Sequence, residues 1–125
     1  MISYICIGTN NFDAAEKFYD ELLAELNVIQ AQKTERMIFW VGPTPGVGFS
    51  IAKPLDGEPA SAGNGAMVAL TADSKESVER VYHKAIALGA SDEGAPGVRA
   101  SGFYCAYFRD LDDNKFNIFC PVPPR

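Results

Sequence analysis

The strongest constraint on this chain is that it contains one pattern twice. Adding 63 to the first-half numbers, with no gap, lays Glu16-Lys17-Phe18-Tyr19 on Glu79-Arg80-Val81-Tyr82, Ile5 on Val68, Ile7 on Leu70 and Leu23 on Ile86. An offset of 67 lays Phe49-Ser50-Ile51 on Phe116-Asn117-Ile118. Identities alone are few. A strand-like alternation followed by a helical stripe, recurring in the same order and register, is the mark of an internal repeat.

The unit reads as strand, helix, then three strands. In the first copy, residues 3–8 are β-rich and end at Gly8 before Thr9-Asn10-Asn11. A helix is predicted from near Asp13, capped by Asn11 or Asp13, with Phe12, Ala15, Phe18, Tyr19, Leu22, Leu23 and Leu26 on one face. Strands follow at 28–33, 36–41 and 47–53, with a Gly/Pro turn at 42–46. After a loop rich in Gly, Pro, Ala and Ser, the second copy has a strand at 66–72 and a helix capped by Asp73 or Ser74 and stopped by Gly89. Its apolar stripe is Val78, Val81, Tyr82, Ala85 and Ile86. Residues 90–98 are partly extended, and strands at 103–109 and 115–120 flank a tight turn at 110–114. A Pro-rich tail covers 121–125. The expected fold is α+β: two tandem βαβββ modules, 1–53 and 65–120, joined by the loop 54–64 into one domain, with curved mixed sheets around a central cleft.

Composition removes several function classes. Sixteen acidic and eleven basic residues give a net charge of −5, with no basic run, so nucleic acid is not an expected partner. No apolar stretch approaches the roughly 20 residues of a membrane helix, and the start lacks the basic and apolar regions of a signal peptide. Cys6, Cys105 and Cys120 are far apart with no CxxC, which suits reduced thiols in a cytoplasmic protein. There is one histidine, His83, on the expected surface of the second helix, so the chain cannot build a two-histidine metal site by itself.

Strand alternation assigns the faces. Ile5, Ile7, Val68, Leu70, Phe116 and Ile118 face the helices. Tyr4, Cys6, Met67 and Asn117 face away, and the repeat makes Tyr4, Ser50, Met67 and Asn117 four equivalent inward positions.

Ordered as they are, several segments resemble the vicinal oxygen chelate superfamily of glyoxalase, bleomycin-resistance and extradiol-dioxygenase proteins. The carriers are Thr9-Asn10-Asn11-Phe12 before Ala14-Ala15-Glu16-Lys17-Phe18-Tyr19, then Gly63-Asn64-Gly65-Ala66-Met67-Val68-Ala69, Gly94-Ala95-Pro96-Gly97-Val98-Arg99, and Phe103-Tyr104-Cys105-Ala106-Tyr107-Phe108-Arg109-Asp110. The last runs into Leu111-Asp112-Asp113-Asn114, similar to the family's D-P-D-G-N turn, with Leu for Pro and Asp for Gly. The resemblance implies a divalent metal held by His, Gln or Glu on inward strand positions. Here those positions carry Tyr4, Met67, Asn117 and Ser50, whose phenol, thioether, amide and hydroxyl are poor donors for such an ion. No metal or other cofactor is therefore expected. The resemblance also implies a homodimer.

The expected site is a cleft lined by Tyr4, Cys6, Trp40 or Phe39, Ser50, Met67, Tyr104 or Phe103, Tyr107, Asn117 and Phe119. Tyr4, Tyr104 and Trp40 would pack on a ligand and Asn117 would hydrogen-bond it. Of Arg36, Arg99 and Arg109, Arg99 is the preferred partner for an anionic group, although the chain's net negative charge would also attract cations at long range. Without a neighbouring histidine, Cys6 and Cys105 read as inert thiols, and Asp110, Asp112 and Asp113 as a hairpin turn, not a calcium loop. The expected function is metal-independent binding of a small organic molecule. The alternative is a divalent-metal-dependent lyase, isomerase or dioxygenase of the glyoxalase type with an atypical ligand set.

Overall fold

The computed structural model describes residues 1–121, so most of the Pro-rich tail lies outside the described residues. The elements run β1 (Tyr4–Gly8), α1 (Phe12–Ala24), β2 (Ile29–Lys33), β3 (Met37–Val41), β4 (Gly48–Ala52), β5 (Val68–Thr71), α2 (Lys75–Ala87), β6 (Ser91–Val98), β7 (Tyr104–Arg109) and β8 (Lys115–Cys120). The fold is α+β and consists of two tandem modules, each a four-stranded mixed sheet with one helix. The repeat holds to the residue in the helices, since an offset of 63 carries Phe12–Ala24 onto Lys75–Ala87. The chain divides into two compact units, Met1–Ala62 and Gly63–Arg125.

In the first unit the strand order is β1-β4-β3-β2, with β1 parallel to β4 and the remaining pairs antiparallel. Asn11 caps α1, its side-chain oxygen accepting the Ala14 N–H at 3.1 Å, while Asp13 sits in the first turn. There its charge complements the positive end of the helix dipole. Ala15, Phe18, Tyr19, Leu22 and Leu23 are buried on one stripe of α1. They meet the helix-facing row of the sheet, where Ile38 pairs with Ile51 and Trp40 with Phe49. Each large side chain so buried contributes about 1.5–3 kcal/mol relative to exposure.

The second unit repeats the order as β5-β8-β7-β6, with β5 parallel to β8. The equivalent parallel registers are Ile5 with Phe49 and Val68 with Phe116. Ser74 caps α2, accepting the Ser77 N–H at 3.1 Å; Asp73 instead accepts the Ser77 hydroxyl at 2.9 Å. Val78, Val81, Tyr82 and Ala85 are buried, and Phe108 stacks on Phe116 with ring centroids 5.4 Å apart. Ile86 departs from the expected stripe: it is exposed, although its repeat equivalent Leu23 is buried. Edge strand β6 pairs irregularly with β7, shifting register between Asp92 and Gly94 and again between Gly94 and Gly97. Pro96 lies in that interval, and an edge strand is where a residue without an N–H is tolerated.

The hairpin at 110–114 is built by Asp110. Its Oδ1 accepts the N–H groups of Asp112 and Asn114 at 2.8 and 2.9 Å, and its Oδ2 accepts the Asn114 amide at 3.0 Å. Asp113 takes φ = 66°, the left-handed conformation that Asp tolerates better than most non-glycine residues. Among the described residues no helix is long and apolar enough to cross a membrane.

Candidate functional site

Each sheet has one face against its helix and one face without a helix, and the latter holds most of the expected site residues. In the first sheet, register aligns Cys6 with Ser50 and Ser50 with Phe39. Tyr4 is half-exposed and meets Phe39 edge-on, with centroids 5.0 Å apart. Ser50 is fully buried, and its hydroxyl donates to the Ile5 carbonyl at 3.2 Å. Cys6 is an exposed free thiol. It borders a groove of about 410 Å³ that also touches Gly8, Arg36, Ala52, Pro54 and Ala60. Loop 54–61, besides joining the modules, supplies one wall of that groove. Asn10 anchors it, its amide donating to the Ala60 carbonyl at 3.0 Å and its Oδ1 accepting the Ala60 N–H at 2.7 Å.

Trp40 is not on this face. It is fully buried on the α1 side, and its indole N–H donates to Asp20 Oδ1 at 2.9 Å. The reason is alternation. Phe39 and Trp40 are adjacent, so only one can face away from the helix, and the pairing of Trp40 with Phe49 puts the indole in the core. Phe39, the other option in the sequence, takes the helix-free face.

In the second sheet, Tyr107 pairs with Asn117, which pairs with Ala69. Cys105, Phe119 and Thr71 form the next row. Met67 precedes β5 and is exposed. Asn117 is buried, and its amide donates to the Ala106 carbonyl at 3.3 Å. Tyr104, like Trp40, belongs to the opposite face. It pairs with Cys120 in register with the core, and its hydroxyl donates to Glu79 of α2 at 2.6 Å. That hydrogen bond, followed by burial, holds the phenol above the usual tyrosine range. Phe103, one residue earlier, contacts Phe119 with centroids 5.8 Å apart.

The three arginines separate clearly. Arg36 donates to the Lys53 carbonyl at 2.9 Å. Arg109 donates to Glu93 Oε1 at 2.8 Å and to the Asp113 carbonyl at 2.9 Å, tying the hairpin to β6. Arg99 donates through Nη2 to the Ala95 carbonyl at 2.7 Å, and its guanidinium carbon lies 5.4 Å from the Tyr107 ring centre. Among the described residues it meets no carboxylate. Lys115, which the sequence did not single out, lies 5.6 Å from the same ring. Its only sequence signal is its place at the start of β8, beside the hairpin turn. His83 is exposed, as its helix position implied, and meets the Tyr82 ring.

A model of the Glyoxalase/Bleomycin resistance protein/Dioxygenase superfamily matches residues 1–118. This chain belongs to that superfamily. Its solved relatives include a glyoxalase/bleomycin resistance protein from Albidiferax ferrireducens T118, 32% identical over 98% of this chain and 99% of that one, with a TM-score of 0.90. A glyoxalase/bleomycin resistance protein/dioxygenase family enzyme from Burkholderia phytofirmans PsJN is 20% identical over 96% and 98% of the two chains, with a TM-score of 0.76. A lactoylglutathione lyase from Agrobacterium tumefaciens is 20% identical over 97% and 93%, with a TM-score of 0.71. The last two share the fold; they say nothing further of activity. A search of the curated proteins finds no match.

Superfamily membership raises the question of a divalent metal, and the donor chemistry argues against a fit. The four repeat-equivalent positions, Met67 lying just before β5, offer a phenol, a thioether, an amide and a hydroxyl. All four are neutral, so none brings the negative charge or imidazole nitrogen with which such an ion is usually held. Among the described residues no three His, Cys, Asp or Glu side chains are grouped to hold an ion.

Proposed function

We propose that this chain binds a small organic molecule against the helix-free faces of its sheets, without a divalent metal. The observation that carries this reading is what those faces display. Tyr4, Phe39, Tyr107, Phe103 and Phe119 supply aromatic surface, and Arg99 supplies a charged group with no carboxylate partner among the described residues. Aromatic walls with a few placed polar groups are the usual make-up of a small-molecule site. Cys6 and Ser50 add to the face of the first sheet, Met67 and Asn117 to that of the second; Trp40 is in the core and Tyr104 on the α2 side. The reading includes a homodimer in a reducing, cytoplasmic setting, where an exposed thiol such as Cys6 stays free.

Two measurements test it. Purified protein is incubated with zinc, nickel, manganese or iron, desalted, and its metal counted by elemental analysis. Substoichiometric metal is expected; one tightly held ion per chain replaces this reading with a metal-dependent lyase, isomerase or dioxygenase. In parallel, a thermal-shift screen of neutral, cationic and anionic aromatics is expected to give concentration-dependent stabilisation. Silence across the whole screen overturns the binding reading.

A further inference from the structure

The chain as a whole is acidic, yet one row of the second sheet carries the opposite charge. Tyr107 has two cations on its ring, Arg99 at 5.4 Å and Lys115 at 5.6 Å. Neither meets a carboxylate among the described residues, although the sequence holds sixteen. The neighbouring Arg109 is neutralised by Glu93 at 2.8 Å, so the uncompensated charge is local to Tyr107.

The floor under Arg99 is made of glycine. A Cβ at Gly94 would lie 3.0 Å from Arg99 Nη2 and 3.2 Å from the Tyr107 ring, and one at Gly97 would lie 3.1 Å from Arg99 Nη1. The guanidinium therefore rests on bare backbone, a closeness that side chains at these positions would prevent. Its Nη2 is fixed by the Ala95 carbonyl. A guanidinium has five N–H donors in one plane, so a fork remains for a planar acceptor. Along β8, Phe119 follows Asn117 on the same face, a strand repeat of about 7 Å, with Phe103 packed on its ring. The same face of this sheet thus carries two unpaired cations on the Tyr107 ring and an aromatic pair further along β8.

We propose that this face binds a small aromatic carboxylate, with the carboxylate between Arg99 and Lys115 and the ring toward Phe119. The proposal rests on the small-molecule reading above and names its ligand class. The net charge of the chain does not oppose it. Charges beyond about 8–10 Å are screened at physiological salt, whereas a paired carboxylate interacts at contact distance.

The test is titration of the full chain with benzoate, benzamide and inorganic phosphate, followed by backbone amide shifts in NMR. Benzoate is expected to shift the amides of Gly94, Gly97, Tyr107 and Asn117 saturably, and to bind more weakly as salt rises. Arg99→Met and Lys115→Met should each weaken it about tenfold, the effect of one charge-assisted hydrogen bond. Each variant's unperturbed amide spectrum shows that it is folded, and the lysine variant leaves the Ala95 contact in place. Equal binding of benzamide, equal binding of phosphate, or unchanged affinity in both variants overturns the proposal. If benzoate fails while the broader screen finds neutral or cationic ligands, the carboxylate assignment falls and the small-molecule reading stands.

Discussion

Trp40 gives the sharpest test of how the sheet faces are assigned. It is the only tryptophan, fully buried, with its indole N–H on Asp20. Trp40→Phe keeps a ring in the core and removes two things. Losing the pyrrole portion strips roughly 30–40 Å² of buried apolar surface, about 1 kcal/mol. Losing the hydrogen bond to a carboxylate costs about 1.5 kcal/mol, the low end for charged acceptors, because Asp20 is exposed. Asp20 also keeps a bond from Gln30 at 3.0 Å, so it is not left bare. The expected loss is about 2–3 kcal/mol, or a fall of about 1–2 M in the urea midpoint at a typical slope. Far-UV circular dichroism serves as the probe, since the variant has no indole. A double-mutant cycle with Asp20→Ala should return a coupling of about 1 kcal/mol. Phe39→Leu, on the other face, should cost little stability and change ligand binding instead. If Trp40→Phe leaves the midpoint unchanged, or couples to Asp20 by nothing measurable, the indole is not a core strut and the face assignment is wrong.

Further outcomes follow from the same geometry. The Tyr104 phenol is held above its ordinary pKa of 10.0 by its bond to Glu79, so that contribution to stability is complete below that pH and is lost as pH rises through the raised folded value. Tyr104→Phe should flatten the alkaline limb of a stability profile, and Glu79→Gln should bring phenolate absorbance on at lower pH; an unmoved phenolate transition contradicts the pairing. Gly94 has φ = 155° and Gly46 has φ = 77°, but only Gly94 has side-chain atoms in the way of a Cβ. Gly94→Ala is expected to cost about 1–3 kcal/mol and to move the Arg99 side chain, more than Gly46→Ala in the same urea series; equal costs would show that Arg99 does not lie on the glycine floor.

Much of the architecture was legible in sequence because it rests on short-range periodicity. The two helices, a pair of candidate caps for each (Asn11 or Asp13, Asp73 or Ser74), the helix-facing Ile5, Ile7, Val68 and Leu70, and the tight turn at 110–114 follow from local patterns and from the repeat; the structure chose Asn11 and Ser74. Tyr104 shows where such reading stops. Alternation says that Phe103 and Tyr104 face opposite ways, but not which way, since either ring can fill a core. The choice depends on which residue of β8 each one pairs with. Ile86 and Leu23 make the same point in the helices: equivalent positions in the repeat have different neighbours, and neighbours decide burial.

Lys115 and Arg99 are sixteen residues apart in the chain and unremarkable in isolation. They come together because β6 and β8 lie on either side of β7 and both reach the Tyr107 ring. The duplicated pattern therefore determined the kind of fold, the number of modules and the outline of each sheet, since those are set by hydrophobic period and turn chemistry along a continuous stretch. Which aromatic is core and which is open, and which cations stand unpaired beside one ring, was decided only when strands distant in sequence took a common register, because that pairing alone determines what each side chain meets.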